Sequence, residues 1–440
     1  MIQVQSGFRR KHALIEREFP IGGLTEVPIR LESNNLPAEF GEFLGADLHV
    51  HMNYGGHYRN RPEQLLAQQE AEDLDVVYNL IVNKEQRIPD VASFSPEPDA
   101  FSNDKVLLTH SQEFHTSYWG HMGLLGLKEH LLIPDYSGYP GTGAASLFPD
   151  NATVSDMARQ QGALVGYVHP FGAPAPDPAG GASLTNALPV DVALGKVDYY
   201  EVVGFADHRT SAEVWYRLLN TGFRVAAAGG TDAMANYASL RGPVGVNRTY
   251  VRRGEALTDP VARRDAWLAG LKAGRSIATN GPLIGVTVNG IGPGGEIKLD
   301  AGEHDLAISA FMRSIIPVDF LEVVWNGEVV QSISPDMSRK QADFEGSIKV
   351  SGSGWLVLRA WNDRSHPDVF DIYPYASTSP VYVTIDGEGL RSTDDADYFI
   401  AWINRVRASA EAHPDYNSPE ERATVLANID KALQIFQARR

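Results

Sequence analysis

With 440 residues, no cysteine and a formal net charge of −17 at pH 7, the chain excludes disulfides, a thiol nucleophile and Cys-ligated zinc. Its acidity argues against nucleic acid or an anionic membrane as partner. No apolar stretch is long enough to cross a bilayer, and the opening Met1-Ile2-Gln3-Val4-Gln5-Ser6 lacks an apolar signal core, so a cytoplasmic protein of about two to three domains is expected.

Residues 1 to about 42 read as a lead-in with one strand-like stretch at 27–31. The segment Ala46-Asp47-Leu48-His49-Val50-His51 then alternates apolar and polar residues, the pattern of a β-strand. Alternate strand residues share a face, so Asp47, His49 and His51 point the same way. Two imidazoles so spaced can grip one divalent cation, and Asp47 is placed to orient one of them. Asn60-Arg61-Pro62-Glu63 opens a helix, with Asn60 as cap and proline in the first turn. A strand at 76–82 follows.

Further along, apolar runs repeatedly end at metal-competent side chains. The run at 106–108 leads to Glu113, His115 and His121; that at 163–168 to His169; that at 197–200 to Glu201; and that at 225–231 to Asp232. Helices are expected at 151–161 and 210–220, closed by Gly162 and Gly222. Alternating strands and helices imply a parallel sheet or barrel, which gathers strand C-termini on one face. Two long loops rich in Pro, Gly and Ala, 134–149 and 171–189, read as lids or pocket walls. Thr258-Asp259-Pro260 caps a helix that runs to Gly274. Beyond it come short strand-like runs at 283–289, 304–312, 320–325, 346–350, 355–361 and 381–385. Asn289-Gly290, Asn326-Gly327 and Asp386-Gly387 supply turns, and the whole reads as a small β-sandwich. From Thr393 onward two helical apolar faces follow.

The expected divisions are a lead-in (1–42), a catalytic barrel (43–282), a β-sandwich (283–390) and a helical tail (391–440). Ten of the thirteen histidines precede residue 210, which places the site in the barrel. His49, His51, Glu113, His121, His169 and Asp232 form a mixed imidazole and carboxylate set suited to zinc, manganese or iron. The two oxygens of Glu113 can bridge two cations. Glu201 is a base, an orienter of an imidazole, or the partner of an arginine. His115 and His208 are proton carriers or solvated loop histidines. Arg241 and Arg248 flank Gly242-Pro243-Val244-Gly245 and are anion contacts or plain surface arginines.

The pieces Asp47-Leu48-His49-Val50-His51, Glu113 with Gly120-His121, Val168-His169-Pro170, Glu201 and Gly230-Thr231-Asp232, together with Gly274-Arg275-Ser276 and Thr279-Asn280-Gly281-Pro282, occur in an order that resembles the polymerase-and-histidinol-phosphatase (PHP) metallohydrolases, in the carbaryl-hydrolase-like CehA/McbA branch. The resemblance spans roughly residues 40 to 390. It implies an α/β fold, a distorted (β/α)7-type PHP barrel, here followed by the small β-sandwich and C-terminal helices. It also implies a hydrolase of ester, carbamate or phosphoester bonds, in which two divalent cations activate a shared water. Relatives with three metals carry two further histidines. Here Asn83-Lys84-Glu85 and Met234 stand at those places, so the resemblance implies two cations, zinc first and manganese or iron next. It leaves Lys84 as an anion contact and His57 as a substrate contact or surface residue. Tyr54, Tyr58, Tyr118 and Trp119 lean toward a neutral or aryl-bearing small-molecule substrate. The alternatives are a phosphomonoesterase or phosphodiesterase and an inactive metal-containing binding module. A homo-oligomer is left open.

Overall fold

The computed structural model describes residues 1–18, 22, 26–82, 88–116, 118–133, 138–139, 141–239, 241–370 and 372–440, with backbone alone at 88 and 89. The lead-in forms an antiparallel ribbon of β1 (Ile2–Val4) and β2 (Ala13–Ile15). The strand expected at 27–31 is absent from it. β3 (Phe43–His51) carries the paired histidines and is buried from Gly45 onward. Its apolar set, Ala46, Leu48 and Val50, enters the core, and the alternate set turns to the site. α1 (Pro62–Ala71) starts one residue later than expected. Its terminus is closed by Gln64, whose side-chain oxygen accepts the Arg61 N–H (2.9 Å), while Asn60 donates to the Ala235 carbonyl (2.6 Å).

The alternation continues with β4 (Val76–Val82), β5 (Leu107–Phe114), β6 (Met122–Leu125), α2 (Asn151–Gln160), β7 (Leu164–Tyr167), α3 (Leu188–Ala193), β8 (Tyr199–Val203), α4 (His208–Asn220), β9 (Ala226–Gly229) and β10 (Ala233–Met234). The pairs β3–β4, β4–β5, β7–β8, β8–β9 and β3–β10 are parallel, and only β6 runs against its neighbours. β11 (Arg248–Arg252), α5 (Pro260–Lys272) and β12 (Ser276–Thr279) follow, with β11 antiparallel to β3 and β12. Asp150, Asp207 and Asp259 cap α2, α4 and α5 by accepting the N–H three residues on.

The expected closed barrel is not formed by backbone pairing. Among the described residues no ladder joins β9 to β11 or β12. Hydroxyl groups bridge that seam instead. Thr249 Oγ1 accepts the Gly229 N–H (2.7 Å) and donates to the Gly229 carbonyl (2.9 Å). Ser379 Oγ accepts the Ala227 N–H (2.8 Å), and Ser276 Oγ donates to the Ala227 carbonyl (2.7 Å). Buried backbone groups need partners, and these side chains supply them where strands cannot. A Cβ on Gly229 would lie 2.6 Å from the Arg248 carbonyl oxygen, so the close approach requires glycine.

The remaining strands are β13 (Pro282–Val288), β14 (Glu296–Leu299), β15 (His304–Ser314), β16 (Phe320–Trp325), β17 (Glu328–Ile333), β18 (Gln341–Val350), β19 (Gly354–Trp361), β20 (Tyr375–Thr378) and β21 (Val381–Ile385). β13, β15 and β18 form one sheet. The others extend the large sheet, because β20 pairs with both β12 and β19. The expected self-contained sandwich is therefore replaced by two sheets over one apolar cluster, one of them continuous with the site-bearing sheet. α6 (Thr393–Ala412) and α7 (Pro419–Gln437) bury Phe399, Trp402, Ile403, Val406, Val425, Ile429 and Phe436 against Trp119, Leu188 and Trp215 of the site-bearing half. Each such side chain contributes roughly 1.5–3 kcal/mol of burial. No helix among the described residues is long and apolar enough to cross a membrane.

Candidate metal centre

His49 and His51 end β3 with their side chains fully enclosed. His51 Nδ1 lies 2.7 Å from the Leu80 carbonyl oxygen on β4, and His49 Nδ1 lies 3.2 Å from Glu201 Oε1 on β8. Both partners are acceptors, so each imidazole carries its proton on Nδ1 and presents the Nε2 lone pair. Among the described residues neither Nε2 has a hydrogen-bond partner, and neither has Asp232 Oδ1. Buried lone pairs facing one another are costly unless a cation sits among them.

Glu113, at the end of β5, divides its carboxylate between two histidine pairs. Oε2 lies 3.3 Å from His51 Nε2 and 3.5 Å from His49 Nε2. Oε1 lies 2.9 Å from His121 Nδ1 and 3.2 Å from His169 Nε2. Asp232 Oδ1 is 3.0 Å from His51 Nε2 and 3.5 Å from His49 Nε2, and its Oδ2 is 3.8 Å from His169 Nε2. Two overlapping ligand groups result, His49–His51–Asp232 and His49–Glu113–His169. All six ligand candidates from the sequence are thus brought together, and the donor set fits divalent cations.

Burial alone would lower the His49 imidazole, but the carboxylates of Glu201, Asp232 and Glu113 outweigh it and hold it well above its ordinary value. Burial would raise Glu113 and Asp232, yet the imidazoles, His49 foremost, hold Glu113 well below the usual range and Asp232 down to about 2. The cluster is built to be neutralised by positive charge, and protons and divalent cations compete for that role. The backbone is strained at two ligands, with φ of 30° at His169 and 58° at Asp232. Such conformations cost about 1–3 kcal/mol each and persist only where the surroundings enforce them. Here Glu201 Oε2 accepts the His169 N–H (2.8 Å), and Asp47 Oδ1 accepts the Thr231 N–H (3.0 Å).

Several expectations need correction. Asp47 touches no imidazole. Its oxygens accept the N–H groups of His49, Thr231 and Gly245, tying β3 to the Asp232 loop, while burial pushes its carboxyl up to about 6. His208 is not brought to the cluster. It is buried at the start of α4, its Nε2 3.2 Å from the Gly204 carbonyl oxygen and its ring against Tyr373 and Tyr375. Arg248 is enclosed and committed to Glu72, with its guanidinium over Phe8. His57 is exposed. Met234 is buried beside His51 in the β3–β10 ladder. Lys84 lies outside the described residues.

Other expectations find a place at the site. His115 packs its ring 3.6 Å from that of His121. Glu201 bonds both His49 and the His169 backbone. The Arg241 guanidinium pairs with Asp232 Oδ2 and lies over Phe205 (4.7 Å) and Tyr54 (5.6 Å). Of the other aromatics, Tyr54 lies 5.5 Å from His51, Trp119 is a core residue, and Tyr58 is exposed. The Leu80 carbonyl and Phe205 were not anticipated. A carbonyl leaves no trace in residue identity, and Phe205 follows its strand without periodicity.

No family profile and no curated protein matches the chain. Solved structures similar to it include a two-domain protein containing a predicted PHP-like metal-dependent phosphoesterase from Bacteroides vulgatus, with 12% identity over 80% of this chain and 94% of that one and a TM-score of 0.37. Endonuclease Q in complex with a 27-mer duplex substrate carrying an abasic lesion matches with 13% identity over 51% and 56% of the two chains, TM-score 0.34. The lesion-specific endonuclease PfuEndoQ from Pyrococcus furiosus matches with 12% identity over 52% and 57%, TM-score 0.32. The chain spans little more than half the length of these two endonucleases. Both are endonucleases by name, which runs against the expectation of no nucleic acid and a small-molecule substrate. That expectation read a local property from a bulk one: a charge of −17 is a sum over the whole chain, whereas a substrate meets the field at the site.

Proposed function

We propose that this protein is a metal-dependent hydrolase of the phosphoester type with a PHP-like site. His49, His51, Asp232 and Glu113 Oε2 would hold one divalent cation, and Glu113 Oε1, His121 and His169 a second. The division of the Glu113 carboxylate between two histidine pairs carries this reading, because each of its oxygens faces a separate set of imidazoles. When bound, a cation pair supplies Lewis acidity, lowering the pKa of a water toward neutrality and polarising the bond to be cleaved. Zinc suits the imidazole-rich set best, and manganese or iron follows. Neither Met234 nor the exposed His57 adds a donor for a third.

The chain's own residues prepare the rest. Glu201 and the Leu80 carbonyl fix both Nδ1 protons, so both Nε2 atoms face inward. Arg241, in contact with Asp232, offers a planar cation that matches phosphoryl oxygens. A carboxylic ester or carbamate needs no such group, so Arg241 favours the phosphoester among the three bond classes. His115, against His121, is the nearest unassigned proton carrier for a leaving group. The strained backbone at His169 and Asp232 speaks against an inactive binding module, since strain of this kind accompanies function.

The test is turnover of bis-p-nitrophenyl phosphate, a lesion-bearing duplex oligonucleotide, p-nitrophenyl acetate and a naphthyl carbamate, before and after chelation, alongside metal content. The expected result is phosphoester cleavage that chelation abolishes and zinc or manganese restores, with about two metal equivalents per chain. Turnover of acetate or carbamate with both phosphoesters inert would reject the phosphoester assignment.

A further inference from the structure

The side of the cluster carrying His121 and His169 adjoins a cavity of about 310 Å³, and the chain neighbours of those ligands, Gly120 and Pro170, form part of its wall. We propose that this cavity is the subsite for a flat, uncharged ring attached to the phosphoester, an aryl group or a nucleobase. The inference rests on the phosphoester reading and adds the part of the substrate that reading leaves unnamed.

Three observations support it. Tyr118, Phe171 and Leu184 offer apolar ring and aliphatic surface beside the polar Ser183, Thr185 and Asn186, and among the described residues the only formal charge on the lining is the Asp177 carboxylate. A further anionic group is therefore unwelcome, whereas ring surface is not. The Tyr118 hydroxyl is already committed to Ser409 (2.7 Å), so Tyr118 offers ring rather than a polar tip. The Asn186 amide nitrogen packs against Gly120, 2.5 Å from where a Cβ would stand, so only glycine leaves it that room, and it has no acceptor among the described residues. It is a free donor for a ring heteroatom or carbonyl.

The cavity is also held in shape. Its outer wall is the 171–187 segment, and α6 grips that segment by its carbonyls. Tyr398 donates to Pro176 (2.7 Å), Trp402 to Asn186 (2.9 Å), and Arg405 to Pro178, Gly180 and Ala182. A wall latched in this way is preorganised, which lowers the ordering cost of binding. Arg405 thus serves as a positioning residue for the subsite.

The experiment is calorimetric titration of the metal-loaded full chain with phenylphosphonate, thymidine 5′-phosphate and methylphosphonate, none of which requires turnover to be read. Gly172→Phe fills the cavity from a position whose Cβ would meet nothing within 4 Å, and Arg405→Ala releases the latch. The ring-bearing ligands should bind the parent at least about 10-fold more tightly than methylphosphonate, the scale of burying one aromatic ring. Gly172→Phe should remove that advantage and Arg405→Ala should reduce it, both leaving methylphosphonate unchanged. An advantage confined to phenylphosphonate identifies an aryl substrate, and one shared by the nucleotide a nucleobase. Equal affinity for all three, or an advantage that survives Gly172→Phe, overturns the subsite alone. Failure of all three to bind overturns the phosphoester reading, and the subsite with it.

Discussion

Each imidazole of the β3 pair is used twice, once through Nδ1 to a fixed acceptor and once through an Nε2 left for a cation. Glu113 couples the two halves, so its charge matters more than its shape. Glu113→Gln keeps the volume but removes a negative charge and one oxygen donor. Turnover should fall by about 10²-fold or more, whereas Glu201→Gln, which only loosens the orientation of His49 and His169, should cost about 10- to 100-fold. Steady-state kinetics with metal content measured on each variant decides the matter. A Glu113→Gln enzyme that keeps both metals and full activity removes the bridge from the account. Five of the six ligand candidates were legible in the sequence because each lies at or just past the end of an apolar strand, and strand C-termini converge; His121 instead precedes β6, whose antiparallel direction brings its start to the same face. Arg241 was legible as a candidate, but its contact with Asp232 depends on the path of the 233–247 loop, which no local pattern records. His208 misled for a related reason: it follows the Glu201 strand closely, yet α4 begins at that residue and draws the ring into the core.

At the scale of elements, the hairpin turns were the most readable feature. Asn289-Gly290, Asn326-Gly327 and Asp386-Gly387 all adopt positive φ at both positions, the type I′ requirement. β14 and β20 were not seen, being short and without such turns, and β17 was not seen although it follows Asn326-Gly327, because its side chains are mostly exposed and show no apolar alternation. β20 is what merges the two sheets, so its absence from the sequence reading produced the separate sandwich. The seam at β9 was equally hidden, because it depends on three hydroxyls from distant segments. Thr249→Val is nearly isosteric and deletes both bonds to Gly229. It leaves a buried N–H and a carbonyl unpaired at about 1–3 kcal/mol each, so a loss of about 2–4 kcal/mol is expected in urea unfolding monitored by circular dichroism. A change below about 0.5 kcal/mol would show that Gly229 finds other partners and that the seam is not held by Thr249.

Across the whole molecule, the junction between the site-bearing half and the later strands is also where the pH dependence of stability should arise. His208 stands there among Tyr373, Tyr375 and Asp207, and Tyr373 Oη donates to Asp207 Oδ2 (3.1 Å). Burial lowers the His208 imidazole to about 4 from an ordinary 6.5, only partly opposed by the Gly204 carbonyl and Asp207. Between those two values the unfolded chain binds a proton that the folded chain refuses. Stability from this group is therefore complete above pH 6.5, and it drains away as the pH falls toward 4. The difference amounts to about 3 kcal/mol at most. Acid would also displace cations bound to imidazoles, so the comparison belongs in chelated protein, where the proposed ligands are free of metal in parent and variant alike. Denaturant unfolding of the parent and of His208→Phe between pH 4 and 7 should give curves that differ in slope. The variant loses a constant amount at pH 7 for the unpaired Gly204 carbonyl, then converges on the parent as acid protonates the parent's unfolded histidine. Parallel curves across that range would mean that His208 titrates normally in the fold, and that the junction around it admits water.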